Sequence, residues 1–372
     1  MKKPISIYIH IPFCIKRCSY CDFLTFAGND EFHLPYIKSL CEDIKRASVD
    51  FAEYEVATIF FGGGTPTCLK AEELAGILRI VFANYSIMPD GVITTEANPE
   101  TVDFEYLAKL RAAGFNRLSF GVQSFDDSQL ELIGRLHSGQ RAIEAVYAAE
   151  KAGFLNINID LMFSLPNQTI DGFGKNLDMA VSLPIMHIST YSLIVEESTP
   201  LSKNQKLLNA LPTDELDRQM YQLAKQKLRQ AGFVHYEISN FAKNGYICGH
   251  NIAYWTRMPY IGFGVGAHSF IGNRFCRTDS IEKYIQGNHA PILIEELSHA
   301  DAMSEFVILG LRLIEGISTT NFSHQFGCDI FSVFGDRLKK AEASGLLEID
   351  KHRIRLTDRG IDISNTVFLE FI

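Results

Sequence analysis

The chain of 372 residues contains no apolar run approaching the roughly 18 residues of a membrane span, so nothing in it reads as a transmembrane helix. Positive charge is also scarce. Lys and Arg number 35 against 44 Asp and Glu, a formal net charge of -9. A broad phosphate-binding surface needs a basic balance, so nucleic acid is excluded as a partner. The opening "MKKPISIYIHIPFC" has the basic start of a secretory signal, but His10 and Pro12 interrupt its apolar stretch and no small-residue cleavage site follows. Eight cysteines are too few for a disulfide framework in a chain this long. There is no low-complexity linker. What remains is an ordinary globular composition, 47% hydrophobic and 21% charged, expected in the reducing cytoplasm.

Three of the cysteines are bunched. Cys14, Cys18 and Cys21 lie in "IHIPFCIKRCSYCDF" (9–23), while Cys41, Cys68, Cys248, Cys276 and Cys328 are scattered singly. A closed zinc site wants a fourth thiolate or imidazole. An iron–sulfur cubane can instead be held by three thiolates, with one iron open to a non-protein ligand. A purely structural zinc or iron site is the competing reading.

Strand candidates at 5–11, 56–61, 92–98, 116–123, 157–163 and 186–194 alternate with helical stretches at 71–85, 101–114 and 139–153. Gly114 and Gly153 stand where helix C-terminal glycines belong. Repeated β–α units imply a parallel sheet, either a barrel or a doubly wound sheet. Strands covered by helices on both faces should be apolar throughout, and these are not. Ile5, Ile7, Ile9 and Ile11 share one face of the first strand, while Ser6, Tyr8 and His10 share the other. The polar faces continue with Thr94, Glu96 and Asn98, with Arg117, Ser119 and Gln123, and with Asn156, Asn158 and Asp160. An ordinary closed barrel is filled with branched apolar side chains. A sheet that is polar on its inner face strand after strand must surround water or a polar ligand, because each unpaired buried polar group costs roughly 1–3 kcal/mol. The pattern therefore predicts an α/β fold built as a wide or incomplete β/α barrel over 1–235.

Beyond residue 235 the alternation stops. Residues 236–298 are rich in Gly, aromatics and Asn and read as loops with short strands around a site. Residues 299–372 resume with helical patterns, then "LLEID" and "RIRL" as a hairpin, which predicts a mainly helical, winged-helix-like domain. Its acidic and apolar character disfavours DNA binding.

The C-x3-C-x2-C loop after the first strand, "GGGTP" (62–66) after the second and Glu96 in "EANPE" at the third form a set that resembles the radical S-adenosylmethionine (SAM) superfamily. The resemblance implies an incomplete barrel in which Cys14, Cys18 and Cys21 ligate a [4Fe–4S] cluster and SAM takes the open iron. "YIHIPFC", "RLSFGVQSF", "LIGRLH", "NIDLMFSLPNQT" and "HNIAYW" narrow it to the branch holding oxygen-independent coproporphyrinogen III oxidase and the related heme chaperones. By position, Tyr8, Tyr20, Gly63, Gly64, Thr65, Glu96, Gln123, Arg135 and Asp160 would line the SAM site. Glu96 suits an ammonium, Asp160 the ribose hydroxyls and Arg135 a carboxylate, by its bidentate guanidinium.

Three features favour the chaperone over the oxidase. The oxidase has a further cysteine two positions beyond the cluster loop, where this chain has Phe23. The oxidase also has a long segment before its first strand, and here that strand starts within five residues of Met1. Third, "HNIAYW" (250–255) resembles the chaperones' heme-binding motif. His250 is then the expected axial ligand, with Tyr254 and Trp255 against the porphyrin face and with His268 and Cys248 as rival ligands. C-x-x-C-H is absent, so c-type covalent attachment is not indicated. The resemblance implies a cytoplasmic heme chaperone, monomeric or weakly dimeric, that delivers heme to acceptor hemoproteins, membrane respiratory proteins among them. The alternative is radical oxidative decarboxylation of coproporphyrinogen III.

Overall fold

The computed structural model describes residues 2–372. Its main sheet is built from β1 (Lys3–Ile11), β4 (Tyr54–Gly63), β5 (Ile87–Ala97), β6 (Arg117–Gln123), β7 (Asn156–Phe163) and β8 (His187–Ser192), side by side and parallel. Two-residue strands β2 (Phe13–Cys14) and β3 (Phe26–Ala27) pair with each other in the cysteine loop. Helices His33–Ala47, Ala71–Asn84, Phe104–Ala113, Gly139–Lys151 and Ile170–Ser182 make the crossovers that parallel neighbours require. Ser138 and Thr169 cap two of them by accepting from Arg141 N–H and Gly172 N–H. Gly114 ends a third with φ +114°, which a side chain would resist.

The alternation read from sequence holds. Ile5, Ile7, Ile9, Ile11, Ile59, Phe61, Leu118, Phe120, Ile157, Ile159 and Ile188 are buried in one apolar core. The opposite face is polar and layered by register. Glu96 stands beside Ser119, Ser119 beside Asn158, and Asn158 beside His187, with Gly121, Asp160 and Ser189 forming the next row.

Residues beyond 233 flank this sheet on both sides. β9 (Val234–Glu237) and β10 (Asn240–Ala242) extend it past β8, with β10 antiparallel to β8. β11 (Tyr260–Phe263) runs parallel to β1, and β12 (His268–Ile271), β13 (Asn273–Cys276) and β14 (Ile292–Glu295) follow antiparallel. The twelve strands run from β14 to β9 without closing, so the barrel is incomplete, as expected. One expectation is corrected here. "HNIAYW" does not lie in a loop but in a helix, Gly249–Trp255. Its start carries no side-chain cap and begins with glycine, so the usual N-terminal signal is missing.

The C-terminal part has helices His299–Gly310, Thr319–Phe326 and Ile330–Ala343. Beside them is a small antiparallel sheet of β15 (Ile317–Ser318), β16 (Leu347–Ile349) and β17 (Arg353–Leu356), the winged-helix-like arrangement predicted from sequence. Among the described residues no helix is long and apolar enough to cross a membrane.

Candidate functional site

The C-terminal ends of the parallel strands surround a cavity with about 730 Å³ of space, open to solvent at its mouth. Cys14, Cys18 and Cys21 line it together with Tyr20, Gly63, Gly64, Thr65, Glu96, Gln123, Arg135 and Asp160. Segments far apart in sequence thus meet at one cavity, where the resemblance would have them. Tyr8 is not part of this lining. It stands one layer toward the strand N-termini, opposite Phe60 in register, with its hydroxyl 3.0 Å from His10 Nδ1.

Glycines bring the backbone close to the thiols. A Cβ on Gly64 would sit 2.6 Å from the Phe13 carbonyl oxygen and 3.0 Å from Cys14 Sγ. One on Gly62 would lie 3.1 Å from Glu96 Oε2. Glu96 accepts from Gly63 N–H at 3.2 Å. Burial, with Asp160 as a second source, nevertheless pushes its pKa up to about 8. Asp160 is raised by burial too, although it accepts from Asn158 at 2.8 Å. Two buried carboxyls facing one cavity make it a receptor for a cation or for hydroxyl donors. On the other wall Arg135 donates to Asn98 Oδ1 at 2.7 Å and lies 3.6 Å from Cys18 Sγ. Gln123 has φ +68°, strain of the sort that persists where a site fixes a side chain.

Asn98 was placed on a polar strand face but not assigned to the site, and Tyr191 was not singled out by the sequence. Asn98 donates to Thr65 at 3.0 Å and accepts from Arg135, tying two walls together. Tyr191 donates to Gln123 at 3.1 Å. Their signal was position: each extends a polar strand face already apparent.

Among the described residues, no three His, Cys, Asp or Glu side chains converge on one point as a single metal ion requires. The donor set fits a larger group. A cubane spreads its thiolates over separate iron corners, and all three thiols line one mouth. Burial holds the Cys14 thiol up at about 11, so only a strong local positive charge would ionise it.

His250 lies deeper and is only 3% exposed. Ser6 donates toward Met258 Sδ, and Thr58 donates to Ser6 at 2.8 Å. Thr58 therefore has a lone pair for His250 Nδ1–H at 2.7 Å, which leaves Nε2 to accept from the Tyr254 hydroxyl at 3.1 Å. Burial, aided by Arg117, pushes the His250 pKa down to about 3, so the ring is neutral. Tyr254 and Trp255 line a separate cavity of about 540 Å³ with Tyr260, Phe270 and two arginines, Arg257 and Arg274. Both arginines pair with Glu305. Cys248 is buried just before the helix, and His268 is exposed at the start of β12.

Comparison with known proteins agrees with this geometry. Residues 8–180 match the radical SAM superfamily, and residues 297–363 match the HemN C-terminal domain. The chain is 36% identical over 381 residues to the heme chaperone HemW of Bacillus subtilis, covering 99% of both chains. It is 33% identical over 376 residues to HemW of Lactococcus lactis, covering 100% of this chain and 98% of that one. The solved coproporphyrinogen III oxidase (HemN) of Escherichia coli, described as a radical SAM enzyme, has TM-score 0.87 at 24% identity, covering 100% of this chain and 90% of that one. That likeness shows the shared fold. With the cysteine loop, the polar half-barrel and full-length similarity in agreement, the chain belongs to the HemW heme-chaperone family of the radical SAM superfamily.

Proposed function

We propose that this chain binds heme and passes it to acceptor hemoproteins in the cytoplasm, including respiratory proteins at the membrane. The observation that carries the reading is similarity to heme chaperones over the whole length of the chain. Family membership implies a [4Fe–4S] cluster and SAM. Cys14, Cys18 and Cys21 would hold the cluster, which when reduced supplies an electron to SAM. The backbone of Gly63, Gly64 and Thr65 in the cavity wall would give SAM a close edge to lie against. Glu96 and Asp160, which line the cavity, would accept from its ammonium and ribose hydroxyls, Arg135 would face its carboxylate, and Tyr20 and Gln123 would close the sides. Tyr8 supports the floor through His10.

For heme, His250 has the arrangement of a ligand held in reserve. Its Nδ1–H is fixed by Thr58, as a metal-ligating imidazole's second nitrogen usually is. Nε2, now 3.1 Å from the Tyr254 hydroxyl, is the nitrogen that would serve iron if that hydroxyl moved aside. Phe23, 70% exposed at the mouth of the cluster cavity, stands where the oxidase has its additional cysteine.

Hemin titration of anaerobically reconstituted protein tests this reading. A saturable Soret shift is expected, with weaker binding by His250→Ala and no turnover of coproporphyrinogen. Absence of the shift refutes heme binding. Equal binding by His250→Ala refutes the ligand, leaving His268 and Cys248. Decarboxylated product would establish the oxidase.

A further inference from the structure

A second cavity, of about 890 Å³, opens between the end of β8, the helix Asp214–Gln230 and residues 361–366 of the C-terminal part. The parts on its two sides are tied together by Lys225 donating to Asp358 at 3.1 Å and Gln222 donating to Asp362 at 3.0 Å. Tyr191 walls this cavity and also walls the cofactor cavity, so one side chain separates the two spaces.

Two arginines face the second cavity, and they differ. Arg218 is committed to Asp217 and to the Asp362 carbonyl. Arg312 makes no side-chain hydrogen bond among the described residues, and its buried Nε has no partner. Its paired anion, Glu237 Oε2, is 3.8 Å away, too far for a hydrogen bond. With a side chain only 27% exposed, the guanidinium sits over Trp255, its Cζ 4.2 Å from the ring centroid. Thr190 Oγ1, in the same wall, is also buried and unpartnered. A guanidinium presents five N–H donors in a fork that matches a carboxylate, and leaving one of them unmade away from water, as at Nε here, is costly. Trp255 is the last residue of the helix that carries His250.

We propose that Arg312 and Thr190 form an anchor for a carboxylate of a tetrapyrrole seated in this second cavity. The proposal rests on the heme-binding reading above and adds to it a site that reads the propionates. Selectivity for the propionates then comes from Arg312.

The test titrates wild type, Arg312→Gln and Thr366→Trp with hemin and with hemin dimethyl ester, which lacks the propionate charges. Wild type should prefer hemin to the ester by at least about tenfold, the scale of one charge-assisted bond. Arg312→Gln should bind hemin no better than the ester while keeping its affinity for the ester. Thr366→Trp, which fills the cavity from its exposed rim, should weaken both. Circular-dichroism melts check folding. If loss of Arg312 unsettles the buried Glu237, the double variant Glu237→Gln, Arg312→Gln replaces it. Wild type binding hemin without preference over the ester, or Arg312→Gln keeping that preference, overturns the anchor alone. Wild type binding neither compound overturns the heme reading and the anchor with it.

Discussion

Acidification should remove a defined part of the stability that His250 contributes, and a paired measurement isolates it. The folded ring stays neutral down to about pH 3, because burial and Arg117 disfavour its charged form. The unfolded ring takes its proton near pH 6.5. A histidine with a depressed folded pKa contributes fully above the unfolded value and loses that contribution as pH falls toward the folded one. The slope is about 1.4 kcal/mol per pH unit, so at pH 5, some 1.5 units below the unfolded pKa, the loss is about 2 kcal/mol. Wild type alone will not display it. Glu96, with a folded pKa pushed up to about 8, gains stability over the same window, because its folded carboxyl holds a proton that the unfolded one has released. His250→Asn leaves Glu96 in place and offers Thr58 an amide N–H. Urea unfolding of both proteins at pH 8, 7, 6 and 5 should show wild type's advantage constant above pH 7 and smaller by about 2 kcal/mol at pH 5. A constant gap across that range would refute a neutral, desolvated imidazole at this position.

Two other outcomes follow from packing. Asp43→Ala should cost about 3–5 kcal/mol in urea unfolding, because it leaves buried Arg277, whose Nε is 3.1 Å from Asp43 Oδ2, without its counter-charge. The double variant Asp43→Leu, Arg277→Leu should recover most of the loss. Gly64→Ala should lower iron and sulfide content after reconstitution at least as much as Cys14→Ser, because its Cβ would collide with the Phe13 carbonyl and force the cysteine loop outward. Full cluster content would refute that collision.

Much of the barrel was legible in sequence for one reason. A parallel strand whose inner face meets a polar ligand alternates, and alternation is a local signal. Ile5 to Ile11 and Asn156 to Asp160 each state their own face without reference to any other strand. The cysteine loop was legible because Cys14, Cys18 and Cys21 lie close together in one short stretch of chain. Long-range partnerships were not. Nothing near Asp43 announces Arg277, 234 positions away, and Thr58 gives no hint of His250, 192 positions away. The four-residue β11 joins β1 through tertiary packing, beyond the reach of periodicity. The polar side chain of Arg312 reads in sequence as an ordinary solvated cation, and only its stack on Trp255 and lack of hydrogen bonds distinguish it.

Trp255 is the sole tryptophan of the chain, and its indole sits between Arg312 and the aromatic cavity of Tyr254, Tyr260 and Phe270. Under selective excitation, every photon of indole emission therefore originates at this one junction. The protein thus carries its own lamp where the helix of His250 ends, and any pigment entering from either side would dim it without a label.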